Sequence, residues 1–529
     1  MNRRSFLARS TGAVALPFLV NGLPVHAFDG PLLADLFNLA EESDRVLVLV
    51  QLNGGNDGIN TVLPIDQEDA YNAVRSNIAI PMTSALKLNN SLGLHPAMTD
   101  LHRAFGEQKV AVLNGVGYPN PNQSHFRSTD IWMSGSSSNQ VVSSGWIGRY
   151  LDGVYPGYPD GYPSAAMPDP IAIQMSAVVS LALTGGQQQS MGMALQDPET
   201  FYDLVQGTTS GGGSLPSHAE ARANVAFIRD VQGKAQVYST VIKQAASKAE
   251  NKADYGDVRV NRLAAQMQIV ARLIAGGLKT RVYVVSLGGF DTHASQVLEG
   301  EPTNGTHAIL LGYVSAAMAA FQKDLEAHGV QDRVITMTFS EFGRRVASNL
   351  SFGTDHGTSA PMFIMGSRVI DGIRTPYPSL TDLEQGDLKM TVDFRQIYAS
   401  VLEQWFGAKP EVIRQILFQD FATVPIIKAG SSTGVSRWDG VVDGLTLYHV
   451  TPNPVRDAAA VRYRVDTETV VRVDVFDPLG FHVATLANGQ HTPGEYSAPF
   501  STTTLPSGTY HVRCSAGRRQ ATTPVVVVR

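Results

Sequence analysis

A single cysteine, Cys514, stands in 529 residues. That excludes an intramolecular disulfide framework and any cysteine-built zinc site. The residue itself reads as a small buried apolar side chain in a strand. Charge is sparse as well, at 17% of residues, and 47 acidic against 41 basic side chains leave a net charge of −6. No basic surplus exists to draw a phosphate backbone, so nothing favours nucleic acid as a partner. Beyond the N-terminus no apolar run approaches the ~20 residues that a membrane-spanning helix needs. The mature chain is therefore not expected to be an integral membrane protein.

Glycine is what the chain has in plenty, with 49 residues, and it implies many turns and long loops. The length exceeds the ~250–300 residues that one hydrophobic core normally serves. One large domain and at least one smaller one are expected.

Residues 1–27 read as a signal peptide. Arg3 and Arg4 precede Ser5-Phe6-Leu7, an apolar stretch runs from Gly12 to Val20, and Val25-His26-Ala27 offers a small-residue cleavage site. Paired arginines followed by Phe-Leu resemble a twin-arginine export signal, which would engage the twin-arginine machinery. A general secretory signal with a chance arginine pair is the alternative.

Residues 28–428 show short apolar runs alternating with helical patterns. Arg45–Leu52, Lys109–Val116, Arg281–Leu287, Arg333–Phe339 and Pro361–Gly366 read as buried strands. Met98–Glu107, Ser124–Trp132 and Ala308–His328 read as helices, as does most of Glu220–Gly277 with a break near Asp254-Tyr255-Gly256. Ser124 stands where a helix cap would. Alternation of this kind predicts an α/β fold, a doubly wound and mostly parallel sheet with helices on both faces. Ligands in such sheets bind outside the carboxyl ends of the strands.

The polar clusters fall at those ends. The first strand leads to Asn53, Asn56 and Asp57, the second to Ser124, His125 and Arg127, and the third to Asp291 and His293. The fourth leads to Glu341 and, a loop later, to Asp355 and His356 between glycines. Carboxylates and imidazoles from several loops at one rim suit a divalent metal site, because carboxylates are hard oxygen ligands and neutral imidazole favours Zn or Mn. Asp57, Asp291, His293, Glu341, Asp355 and His356 are the candidate ligands for one or two ions of Zn, Mn, Mg or Ca. Ser124, His125 and Arg127 are the candidate catalytic residues. His95 and His307 read as loop and helix-start residues outside the site.

Composition shifts near Lys428. Residues 429–448 read as a linker that opens with Ala429–Gly434, and 449–529 as a small all-β sandwich. Its expected strands are 460–463, 470–476, 481–486, 508–514 and 525–528, separated by turn signals that include Asn488-Gly489 and Pro493-Gly494.

Five motifs occur in order: Leu52–Pro64, Ser124-His125-Phe126-Arg127-Ser128, Gly289-Phe290-Asp291-Thr292-His293, Ser340-Glu341-Phe342-Gly343-Arg344 and Thr354-Asp355-His356-Gly357. Together, over about Arg45–Thr423, they resemble the domain-of-unknown-function family 1501. These are twin-arginine-exported bacterial proteins related to the alkaline phosphatase and sulfatase superfamily. The resemblance implies an alkaline-phosphatase-like fold and a two-metal hydrolase of phosphate or sulfate esters. Asp57 would match the first-strand metal aspartate, Ser124 the nucleophile, Asp291 and His293 one Asp/His pair, and Glu341 and His356 the later ligands. The Asp291–His293 spacing is shorter than the phosphatase pattern, and Glu341 lacks an adjacent His. The absence of Cys from the nucleophile region excludes a cysteine-derived formylglycine.

A second resemblance covers the tail. Thr451–Pro454, Val475–Gly480, Gly494-Glu495-Tyr496 and Leu505–Tyr510 look like a type IX secretion sorting domain. It implies the type IX machinery as a partner, with the protein passing through the periplasm to the cell surface or the medium. The sequence thus supports an exported metal-dependent ester hydrolase acting on an unknown ester or polysaccharide. The alternative is a non-catalytic surface binding or assembly protein that keeps the hydrolase fold.

Overall fold

The computed structural model describes residues 44–164, 167–207, 235–428, 440–442, 445–447, 450, 455–477, 482–503, 505–517 and 519–528, together with a pairing of 19–20 with 23–24. The rest of the expected signal peptide, the segment 208–234 and most of the expected linker lie outside the described residues. The chain divides into two compact units, Met1–Ser431 and Ser432–Arg529.

Nine strands build the sheet of the first unit: β1 (Val46–Leu52), β2 (Val110–Gly117), β3 (Ala172–Gln174), β4 (Met193–Ala194), β5 (Val282–Leu287), β6 (Val334–Phe339), β7 (Ala360–Met365), β8 (Gly372–Ile373) and β9 (Val392–Asp393). Their order is β8-β2-β7-β6-β1-β5-β3-β4, with β9 also on β2. The central strands are mostly apolar and almost wholly buried because both faces are covered. In β1, Leu47 and Leu49 join one core with Leu113, Ile335 and Met337, while Val46, Val48 and Val50 join another with Val112 and Val334. That split follows from the two-residue period of a strand.

Helices α1 (Thr99–Gly106), α2 (His125–Ser134), α3 (Trp146–Val154), α4 (Arg262–Ala275), α5 (Thr306–Ala327), α6 (Phe394–Ser400) and α7 (Pro410–Leu417) cover the sheet. The first core holds Ile131 of α2, Trp146 of α3, Phe394 of α6 and Ile413 of α7. The second holds Leu101 of α1, Leu273 of α4 and Phe321 of α5. The doubly wound reading thus corresponds to a mixed α/β unit with a mostly parallel sheet.

One strand departs from the parallel rule. β7 runs antiparallel to both β6 and β2. Its leading loop, 353–359, therefore opens at the rim where the parallel strands end. Ser124 occupies the N-cap of α2, but its side chain makes no capping hydrogen bond.

The second unit has two four-stranded antiparallel sheets. One runs β10 (Gly440–Val442), β11 (Leu445–Leu447), β12 (Ala458–Val465), β15 (Gly494–Ser501), and the other β14 (His482–His491), β13 (Thr469–Phe476), β16 (Gly508–Ala516), β17 (Arg519–Val527). Val461, Phe500, Val473, Val512 and Cys514 share one core between them. Cys514 is a buried free thiol, and burial pushes its pKa up to about 12. Two strands fall within the expected linker. Asn488-Gly489, expected as a turn, instead lies in β14, where both residues pair with β13. The strand Gly494–Ser501 was not anticipated. It carries Pro499, and it is tolerated because β15 is an edge strand that pairs with β12 alone.

Candidate metal centre

The rim at the ends of β1, β5 and β6 and the start of β7 is held together by Arg344. The residue is 1% exposed. Nε donates to the Gly55 carbonyl at 2.7 Å and Nη1 to Thr354 at 2.9 Å. Nη2 donates to the carbonyls of Gly54 and Phe290 and, at 2.6 Å, to Asp291 Oδ1. One cation thus joins the loops after β1 and β5 and the loop before β7. The backbone of 343–345 pairs with 355–358: Gly357 N donates to Gly343 O at 2.9 Å, and Arg345 N to Asp355 O at 3.0 Å. Gly54 has φ +121°, and a Cβ there would run into the Asp291 amide. Close approach of these two loops requires glycine.

Three histidines converge on this frame, each tied down at Nδ1. His125 Nδ1 lies 2.8 Å from Glu341 Oε1. His293 Nδ1 lies 3.1 Å from Asp355 Oδ1. His356 Nδ1 lies 2.8 Å from the Gln123 carbonyl. Each acceptor takes the Nδ1 proton of a neutral imidazole, so Nε2 is left with its lone pair. All three Nε2 atoms face Asp291 Oδ1, at 3.5 Å for His125 and 3.2 Å for both His293 and His356. The Nε2 atoms of His293 and His356 lie 2.9 Å apart. His125 Nε2 is buried and has no hydrogen-bond partner among the described residues.

The acids are held in turn. Glu341 is 2% exposed, and its Oε1 also accepts from Gly54 N at 2.9 Å. Asp355 accepts from Asn349 Nδ2 at 3.2 Å. Burial raises the Asp291 carboxyl, but the hydrogen bond and positive charge of Arg344 pull the other way, and it stays below the ordinary value. Asp355 is lowered by the hydrogen bonds of His293 and Asn349. His356 is lowered by burial, assisted by the charge of Arg344.

Sequence reasoning placed nine residues at this rim. Six of them touch one another: His125, Asp291, His293, Glu341, Asp355 and His356. Ser124 is exposed and follows Gln123, whose carbonyl faces His356. Asp57 and Arg127 are turned away. The Asp57 carboxylate is wholly buried, 2.6 Å from Arg75 Nη1 and 2.6 Å from Gln296 Nε2, and accepts from Ile59 N at the start of a single helical turn. A buried carboxylate requires such a partner, and Arg75, 18 residues away in sequence, supplies it. Arg127 donates to the carbonyls of Ser138 and Gln140. His307, expected outside the site, is buried beneath the first loop with Nε2 at 2.9 Å from Asn56 Oδ1. Gln123, Arg75 and Gln296 carried no sequence signal, because their roles depend on contacts distant in sequence.

The donor set fits a divalent cation. Ligand atoms of His125, Asp291 and His356 can be chosen within 4.8 Å of one another, and His293 stands beside them. Two facing lone pairs and an orphaned buried nitrogen are costly without a cation between them.

A comparison with curated proteins finds no match. Among solved structures, a protein in the alkaline phosphatase superfamily from Vibrio parahaemolyticus is 11% identical, with 88% of this chain and 86% of that chain covered at a TM-score of 0.32. The lipoteichoic acid synthase LtaP from Listeria monocytogenes is 9% identical, with 68% and 76% covered at 0.27. Alkaline phosphatase from the Antarctic bacterium TAB5 is 9% identical, with 61% and 92% covered at 0.25. Residues 449–528 match the family described as a secretion system C-terminal sorting domain. Residues 44–417 match the family described as a protein of unknown function, DUF1501, and the chain belongs to that family.

Proposed function

We propose that the first unit is a metal-dependent hydrolase of phosphate or sulfate esters, exported by way of its sorting tail. The observation that carries this is the convergence of three Nδ1-anchored imidazoles on Asp291 Oδ1. His125, Asp291 and His356 would hold a divalent ion, with His293 beside them. Glu341, Asp355 and the Gln123 carbonyl would orient the rings, as outer partners of metal-bound histidines do. Because these acids already serve the rings and Asp57 serves Arg75, the ligand set is that of one ion rather than two. Such an ion lowers the pKa of bound water and stabilises negative charge on a reacting ester.

The chain's own groups support ester chemistry. Ser124 presents an exposed hydroxyl at the N-terminus of α2, uncommitted to capping. First-turn amides of a helix lack intrahelical partners and attract anionic oxygen. Hydrolysis of an aryl phosphate and an aryl sulfate by the full chain, with and without added Zn or Mn, tests the reading. Activity should depend on metal, vanish in His356→Ala and fall at least a hundredfold in Ser124→Ala. Metal-loaded, folded protein inactive on both esters would contradict it and favour the binding-protein alternative.

A further inference from the structure

A cleft of about 670 Å³ opens beside the metal centre, within the usual size of ligand sites. One wall is the loop 117–123 after β2, and the other is the hairpin Leu383–Glu384/Asp387–Leu388 with Met390. Arg345 and Thr358 line it too, and they flank the paired segments that carry Arg344 and His356. Gln123 belongs to both sites. Its carbonyl faces His356 Nδ1 at 2.8 Å, and its side-chain amide donates to Asp387 Oδ2 at 3.2 Å.

Asp387 is the unusual member. It is 4% exposed, and its Oδ1 accepts no hydrogen bond among the described residues. The nearest cation is Arg345 Nε at 3.9 Å, on a side chain that is half exposed. A buried carboxylate oxygen without a donor is costly. The missing donor is what a hydroxyl-bearing ligand brings.

We infer that this cleft binds the saccharide portion of the substrate, a polyhydroxylated chain whose ester lies at the metal centre. The inference rests on the hydrolase reading and names the substrate class of that site. The lining alternates acceptors and donors: Asn120, Asn122, Gln385, Glu384, Asp387 and Arg345. Sugar hydroxyls both donate and accept, so they satisfy such a mixed wall. Two carboxylates against one guanidinium exclude a polyanion from the cleft itself, so a phosphate or sulfate group belongs at the metal rather than here. Apolar side chains, among them Pro119, Pro121, Leu388 and Met390, are a minority of the lining, which disfavours a lipid chain.

The test is binding of labelled full-length protein to an array of neutral, sulfated and phosphorylated oligosaccharides, with metal content measured on the same preparations. The wild type should bind a subset of the saccharides. The double variant Glu384→Ala/Gln385→Ala, at two exposed hairpin positions, should bind them at least tenfold more weakly, as should Asp387→Ala. Should Asp387→Ala fail to fold, the double variant decides. His356→Ala should lose metal yet still bind the neutral members. No saccharide bound by metal-loaded wild type, or binding unchanged in the double variant, would overturn the inference while leaving the metal centre standing. Saccharide binding by protein that takes up no metal would instead overturn the hydrolase reading alone.

Discussion

Arg344 and Asp57 illustrate two uses of buried charge. Arg344 serves four backbone carbonyls and Asp291 at once, so a lysine cannot replace it, having one ammonium in place of a planar fork. Arg344→Lys should weaken metal binding and lower stability by about 2–4 kcal/mol, the scale of breaking a buried charged network. Chemical denaturation and metal titration check both effects. Asp57 pairs with Arg75 away from the cluster, so Asp57→Ala should cost about 3–5 kcal/mol by stranding the guanidinium. The buried histidines make a pH prediction. Burial, the largest cause, holds His307 down to about 4 and His95 to about 3. Both stay neutral in the folded chain, while the unfolded chain takes up protons below about pH 6.5. Their contribution is thus complete above that pH and is lost as pH falls towards 4. His307→Gln should flatten the loss of stability between pH 7 and pH 5. A pH slope identical to the wild type's in urea unfolding would contradict this.

At the scale of elements, the long apolar strands were legible because burial on both faces leaves few polar positions in them, such as Gln51, Ser286, Thr336 and Thr338. Val46–Leu52, Val282–Leu287 and Val334–Phe339 lie within a residue of their expected bounds. The direction of Ala360–Met365 was not legible, since an apolar run carries no sign of direction. That direction decides the site, because it puts Asp355 and His356 at the rim with Asp291. Asn488-Gly489 misled for a local reason: the pair forms a tight turn only with positive φ, and neither residue adopts it. The partners of Asp57 and Arg127 escaped because they depend on distant loops or on rotamer choice. Close loop packing at the rim yields a prediction of its own. Gly54→Ala must clear the Asp291 amide in a strained backbone, so it should lower metal affinity at least tenfold. Unchanged affinity in a metal titration would show that the loop after β1 does not set the position of Asp291.

For the whole molecule, the chain divides between Ser431 and Ser432 into two units with separate hydrophobic cores. The first should therefore fold without the second. Removing residues 432–529 should leave its melting transition and metal content unchanged, while the truncated chain accumulates in the periplasm. Loss of cooperative unfolding in the truncated chain would show a shared core. Among the described residues no helix is long and apolar enough to cross a membrane. The routing expected from Arg3 and Arg4 lies outside the described residues, and Arg3→Lys/Arg4→Lys tests it. Precursor retained in the cytoplasm would support twin-arginine export, and normal export would support the general secretory route. The most direct test of the metal centre is elemental analysis of the full chain after purification without chelator. One divalent ion per chain is predicted in the wild type and in Asp57→Asn, and less than a tenth of that in His125→Ala and His356→Ala. Wild-type protein that binds no divalent ion, or variants that retain it in full, would contradict the assignment of His125, Asp291 and His356 as its ligands.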